Sequence, residues 1–265
     1  LENTTIPTVM IPGESSQALQ DLFASTDEAV HGTISAEAET FLNEEWTDIM
    51  AGFSSRGPSQ YDMLAPTYAA PGVNILAAAA AQGENTDVYA VLGGTSMSSP
   101  HAAGATALMR ALHPDWTPTE IRSALALSAD SEVRKENATT AADPFDMGSG
   151  RINLDSASRV GLVMDESIAD MTAANPAVGG DPATLNLPAM VKHACPGVCS
   201  WTRTVTNVAD VEATYAATTT APDGLSLQVT PAEFTLAAGA SQEVVIRATT
   251  AETAGAWRFG EVTFS

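Results

Sequence analysis

The sequence predicts an α/β region followed by a β-sandwich, and three observations carry that prediction. An apolar strand pattern over residues 87–92 runs into Gly93-Gly94 and then into an alanine-rich helical run ending near Leu112. Strand, tight turn and helix in that order form the repeating unit of an α/β sheet. A second helix is announced by Thr117-Pro118-Thr119-Glu120, where Thr117 caps, Pro118 fits the first helical position and Glu120 completes a capping box. Beyond Gly161 the helical period disappears, and short β-rich runs at 185–187, 200–208, 213–219, 225–229, 242–248 and 258–264 are separated by turns such as Pro222-Asp223-Gly224, the spacing of a sandwich.

Size and charge narrow the possibilities. A chain of 265 residues with 45% hydrophobic content is large enough for one or two packed domains. Its 32 acidic residues against 11 basic ones give a formal charge of −21, which repels nucleic acid and anionic membrane. No apolar run reaches the roughly 18 residues of a membrane span. The opening Leu1-Glu2-Asn3-Thr4-Thr5-Ile6 lacks the basic and apolar regions of a signal peptide, so a leader is expected to have been removed or to lie upstream.

In chain order, residues 6–11 read as a strand, 17–24 as a helix capped by Ser15 or Ser16, and 30–34 as a strand containing His31. A Pro71-Gly72 turn leads into an apolar strand over 73–78. In the helix after Gly94, Ala103, Ala107, Leu108, Met109 and Leu112 recur at spacings of three and four and are expected to be buried, with Pro100 in the first turn. His113 falls where this helix ends, and Ile121, Leu125 and Ser128 mark the inner face of the next one. Residues 130–143 are polar and read as loop. Both cysteines fall in Cys195-Pro196-Gly197-Val198-Cys199, where the Pro-Gly turn brings their Cα atoms close enough for a disulfide in an extracellular setting. The rival reading adds His193 as a third metal ligand, one short of a closed zinc site.

The stretch Gly93-Gly94-Thr95-Ser96-Met97-Ser98-Ser99-Pro100-His101-Ala102-Ala103-Gly104 resembles the Gly-Thr-Ser-Met-x-Ser-Pro-His-x-Ala-Gly signature of the subtilisin-like serine proteases. Met50-Ala51-Gly52-Phe53-Ser54-Ser55-Arg56-Gly57-Pro58 resembles the segment by which members re-enter the catalytic domain after a protease-associated insert, and Gly148-Ser149-Gly150-Arg151-Ile152-Asn153 their closing Gly-x-Gly-x-Ile-Asn segment. Arg203-Thr204-Val205-Thr206-Asn207-Val208 resembles the start of the fibronectin-III-like domain that follows in many members. The chain departs from the family at Ala65-Pro66-Thr67, where relatives usually show Lys-Pro-Asp. On this resemblance, residues 1–46 are the tail of the insert, 47–161 the C-terminal half of a parallel-sheet catalytic domain, and 162–265 a sandwich that stops short.

The resemblance makes Ser96 the nucleophile of an Asp-His-Ser triad and its own N–H an oxyanion donor, with the backbone of Gly93, Gly94 and Thr95 along the substrate cleft. A serine hydroxyl at neutral pH needs a base, a carboxylate orienting that base, and donors aimed at the oxyanion. The family order places aspartate, histidine and oxyanion asparagine upstream, so the isolated chain is expected to be inactive and its missing partner to be the N-terminal half of the same protein. His31-Gly32-Thr33 matches the family's His-Gly-Thr motif, yet continues as strand and acidic loop where the family has a helix; an exposed strand histidine and a general base both remain readings. His101 lies five residues past Ser96 and reads as structural, and His113 as a helix cap. The implied substrate is a polypeptide, and the setting extracellular. Calcium is common in the family, but no loop here has its ligand spacing and no metal site is assigned. A pseudoprotease serving as a binding scaffold is the alternative function.

Overall fold

A computed structural model describes residues 13–26, 29–31, 46–80, 88–250 and 255–265. The chain divides into two compact units, Leu1–Glu44 and Glu45–Ser265. The first contains α1 (Gly13–Ser25). Because α1 already begins at Gly13, Ser15 and Ser16 lie in its first turn rather than ahead of it, and the Ser16 hydroxyl accepts from the Gln20 side chain at 3.3 Å. The expected strand at 6–11 and residues 32–34 lie outside the described residues, while Val30 and His31 belong to neither helix nor strand.

The second unit begins with a long irregular segment and then β1 (Ile75–Ala78), β2 (Tyr89–Leu92), α2 (Thr95–Leu112) and α3 (Pro118–Leu127). Strands β1 and β2 pair antiparallel, Ile75 opposite Leu92 and Ala78 opposite Tyr89. The expected parallel sheet is therefore not formed here: among the described residues, parallel pairing is confined to the isolated bridges Ile49 to Arg134 and Ala69 to Arg151. The physical reason is connection length. A parallel neighbour needs a crossover of a dozen or more residues, whereas the short return between β1 and β2 suits an antiparallel ribbon.

The capping box at α3 forms in full: the Thr117 hydroxyl accepts from the Glu120 amide, and the Glu120 carboxylate accepts from the Thr117 amide at 2.7 Å. His113 is the C-cap of α2, its amide donating to the Met109 carbonyl at 2.8 Å while its ring stacks 3.8 Å from Trp116. Two short helices, α4 (Pro144–Met147) and α5 (Leu154–Ala157), follow a loop over the expected 130–143. One apolar core joins Ala105 and Met109 of α2 to Ile121, Ala124 and Leu125 of α3, with Ala157 and Val163 closing it; a smaller one gathers Met50, Val133, Ala142 and Met147. Helix α2 contributes less to this core than its pattern predicts. Only Ala105 and Met109 are buried, and Leu108 and Leu112 stay 62% and 55% exposed.

The sandwich has two antiparallel sheets. Naming β3 (Leu162–Val163), β4 (Val198–Asn207), β5 (Ala213–Thr220), β6 (Leu225–Thr230), β7 (Glu233–Leu236), β8 (Ser241–Thr250) and β9 (Glu261–Phe264), one sheet runs β3-β4-β8-β6 and the other β7-β5-β9. Between β3 and β4 lies α6 (Ile168–Ala173), followed by two single-turn 3-10 helices, Pro176–Val178 and Pro182–Thr184, and then by irregular chain rather than the expected strand at 185–187. Along β8 alternate residues turn inward, burying Val244, Ile246 and Ala248, as a half-buried strand requires. Val244 and Ile246 meet Val205, Val229, Phe234 and Leu236 in the sandwich core.

Candidate active site

Around Ser96 the geometry follows from where α2 starts. The helix begins at Thr95, so Ser96 is its second residue and belongs to the first four, whose amides have no acceptor within the helix. The Met97 and Ser98 amides both turn to the Gly94 carbonyl, at 3.0 and 3.3 Å. That leaves Thr95 and Ser96 with the open donors at the positive end of the helix dipole. Ser96 is exposed, and its hydroxyl meets no hydrogen-bond partner among the described residues. Pro100 lies inside α2 rather than in its first turn, so it withholds the N–H that would otherwise take the Ser96 carbonyl.

Two hydrogen bonds fix this turn to the 70–72 segment. The Gly94 amide donates to the Gly72 carbonyl at 2.8 Å, and the Ser98 hydroxyl donates to the Ala70 carbonyl at 2.8 Å. Gly72 is the position where a side chain is excluded: a Cβ there would lie 2.9 Å from the Gly94 oxygen and 3.3 Å from the Ser98 Cβ. At Gly93 and Gly94, by contrast, the nearest atoms to an added Cβ are 3.7 Å away. An added Cβ at those two glycines would make ordinary van der Waals contact, and Gly94 itself has an extended backbone that any residue adopts. Sequence reasoning singled out Gly93, Gly94 and Thr95 and missed Gly72 and Ser98, whose partners lie more than twenty residues away in the chain.

The histidines are dispersed. His101 Nδ1 donates to the Met97 carbonyl at 2.8 Å, back along its own helix. His113 caps α2. His31 is exposed in the other unit. His193 lies in a polar latch: its amide donates to Asp62 at 2.8 Å, and its ring nitrogens lie 2.7 Å from Asp62 Oδ1 and 2.9 Å from the Ser59 carbonyl. Lys192 Nζ donates to the other Asp62 oxygen at 2.6 Å. Burial works to raise the Asp62 carboxyl, but Lys192 and the His193 amide outweigh it and hold Asp62 below the usual carboxylate value.

Cys195 and Cys199 are joined as a disulfide with Cα atoms 5.5 Å apart, so they are not thiolate ligands beside His193. Among the described residues no group of three or more His, Cys, Asp or Glu side chains is arranged to hold a metal ion.

Comparison with known proteins places this arrangement. The model of the Subtilase family matches residues 8–150, and that of the Fibronectin type-III domain matches residues 184–265. Subtilisin-like protease SBT3.10 of Arabidopsis thaliana is 33% identical over 231 residues, covering 74% of this chain and 30% of the relative. Subtilisin-like proteases SBT2.6 and SBT2.5 of the same plant are 31% and 33% identical, covering 89% and 80% of this chain and 34% and 32% of themselves. The chain thus spans about a third of the length of the curated relatives it matches. With a family match over more than half its residues and the Ser96 turn built as described, the chain belongs to the subtilase family.

Proposed function

We propose that the chain supplies the nucleophile segment of a secreted serine endopeptidase. The observation that carries this reading is Ser96 itself, exposed at the second position of α2 beside an open amide. Its hydroxyl attacks the carbonyl carbon of a polypeptide laid along Gly93, Gly94 and Thr95. The Ser96 amide donates to the developing oxyanion, the group whose stabilisation usually supplies the largest single contribution to such a step. The base that takes the hydroxyl proton and the carboxylate orienting that base come from outside residues 1–265, so the isolated chain does not turn over.

Apolar side chains left exposed among the described residues support the last point. Leu76 of β1, Tyr89, Val91 and Leu92 of β2, and Leu108 and Leu112 of α2 are each more than half exposed, although an apolar ribbon and an apolar helix ordinarily pack against something. The occupant proposed is the upstream half of the same catalytic domain. Domain limits at 47–161 and 162–265, with residues 1–46 closing a protease-associated insert, complete the proposal; the disulfide supports an extracellular setting.

Reconstitution tests it. Residues 1–265 mixed with, or fused to, the upstream portion of the parent should hydrolyse peptide bonds, and Ser96→Ala should lower kcat by about 10⁶, the scale found for subtilisin when its serine is removed. A parent in which Ser96 fails to react with an acylating serine-hydrolase probe would overturn the proposal and favour a non-catalytic scaffold.

A further inference from the structure

The loop after the Ile49 to Arg134 bridge carries Asn137-Ala138-Thr139, an Asn-x-Thr triplet without proline at its centre, the sequence that accepts N-linked oligosaccharide. The Ser96 chemistry makes no use of it. Its structure suits an acceptor. Asn137 and Thr139 are both exposed. The Asn137 Oδ1 accepts from the Thr139 amide at 3.1 Å and the Thr140 amide at 2.9 Å, closing an Asx turn, with Ala138 in the left-handed region at φ 58°. The Asn137 Nδ2 donates to the Thr140 hydroxyl at 2.8 Å. The Thr139 hydroxyl, which a transferase reads at the third position of the triplet, meets no partner among the described residues.

The loop under this triplet is well tied. The Lys135 amide donates to the Thr140 carbonyl at 2.7 Å and the Ala138 amide to the Lys135 carbonyl at 2.9 Å. Glu136 pairs with Arg56, and Lys135 with Asp143. The disulfide at 195–199 independently points to an oxidising, secretory environment, the one in which asparagine is glycosylated.

We propose that Asn137 is an N-glycosylation site. The Nδ2 nitrogen attacks the anomeric carbon of a lipid-linked oligosaccharide diphosphate. A carbon–nitrogen bond forms, the anomeric carbon–oxygen bond breaks, the lipid diphosphate leaves with that electron pair, and one amide proton passes to the transferase. The transfer leaves Oδ1, which closes the turn, in place to accept from the Thr139 and Thr140 amides, so the turn survives modification.

The full chain secreted from a eukaryotic host tests this, using Asn137→Gln, Thr139→Ala and Thr139→Ser. The wild-type chain should lose mass on peptide-N-glycosidase treatment, with Asn137 converted to aspartate carrying solvent ¹⁸O. Asn137→Gln and Thr139→Ala should each lose that glycan, and Thr139→Ser, which keeps the hydroxyl, should retain it. A wild-type peptide with Asn137 wholly unmodified overturns the proposal, including the case in which the other triplet, Asn3-Thr4-Thr5, carries the only glycan. An Asn137 glycan that persists in Thr139→Ala overturns it as well.

Discussion

Arg203 shows how much a single buried side chain can organise. It is 2% exposed, on a β4 otherwise rich in threonine, and its guanidinium donates to the carbonyls of Leu187 at 2.7 Å, Thr202 at 2.8 Å, Ala183 at 3.3 Å and Ala189 at 3.4 Å. The irregular chain before β4 is thereby wrapped around one cation. Desolvation pushes Arg203 down to about 10, against a smaller opposing pull from Glu166, so it stays charged at neutral pH. A folded value below the unfolded one means that the cost of burying the charge is present at neutral pH and is relieved only above about pH 10. Arg203→Met should nonetheless destabilise the protein by about 2–4 kcal/mol, because it leaves several part-buried carbonyls without donors. Arg203→Lys should recover only part, since an ammonium cannot fork to that many acceptors; urea unfolding midpoints for the two variants check the order. At this scale the sequence was legible where chemistry is local. The turn around Ser96 is written in consecutive residues from Gly93 to Gly104, but nothing beside Arg203 in the sequence marks it for burial, and Gly72 becomes necessary only once α2 packs against the 70–72 turn.

Elements whose ends carry their own signals were legible, and those defined by their neighbours were not. Helix α3 announced itself through Thr117, Pro118 and Glu120. The structure adds a second use for the cap, since the Thr117 hydroxyl also donates to Asp165 Oδ1 at 2.6 Å, tying the start of α3 to the segment after β3. Thr117→Ala should therefore cost about 1 kcal/mol or somewhat more, at the upper part of the range for lost helix caps, while Thr117→Ser should keep most of it. Thermal melts of the two variants separate these outcomes. Strands β3 and β7, at two and four residues, are too short for alternation to register and exist because β4 and β5 pair with them. The parallel sheet was expected from the family resemblance together with the strand, turn and helix order, and element order says nothing about the partner of a strand.

For the whole molecule, the joint between the helical region and the sandwich and the excess of negative charge set the response to solution conditions. Phe145 of α4 meets Trp257 and Phe259 edge to face at 4.8 and 5.0 Å, and the Tyr215 hydroxyl lies 3.1 Å from the Gly161 carbonyl and 2.9 Å from Oδ1 of the fully buried Asn207. Carboxylates brace the same region. Burial works to raise Asp62, Asp146 and Asp165, but it is outweighed by Lys192 and the His193 amide, by the Asp143 amide with Lys135 and Arg56, and by the Thr117 and Thr119 hydroxyls respectively. All three lie below the ordinary value, so the stability they contribute is complete above about pH 4, the unfolded value, and is lost as pH falls through their folded values. Denaturant unfolding should show a steep acid limb that Asp146→Asn makes shallower. Salt acts the other way. At −21 most carboxylates outnumber available cations, and Arg56, Lys135, Arg151 and Lys192 are already paired. Raising ionic strength shortens the screening length from about 10 Å at 0.1 M to about 3 Å at 1 M. That weakens these pairs, each worth at most about 1 kcal/mol where exposed, but it also screens repulsion among the 32 acidic residues, which the 11 basic ones cannot neutralise. Repulsion is the larger sum, so the melting temperature should climb with sodium chloride and climb equally with choline chloride at matched ionic strength. A flat or falling melting temperature would mean that the surface pairs dominate, and a rise confined to sodium would mean site binding rather than screening.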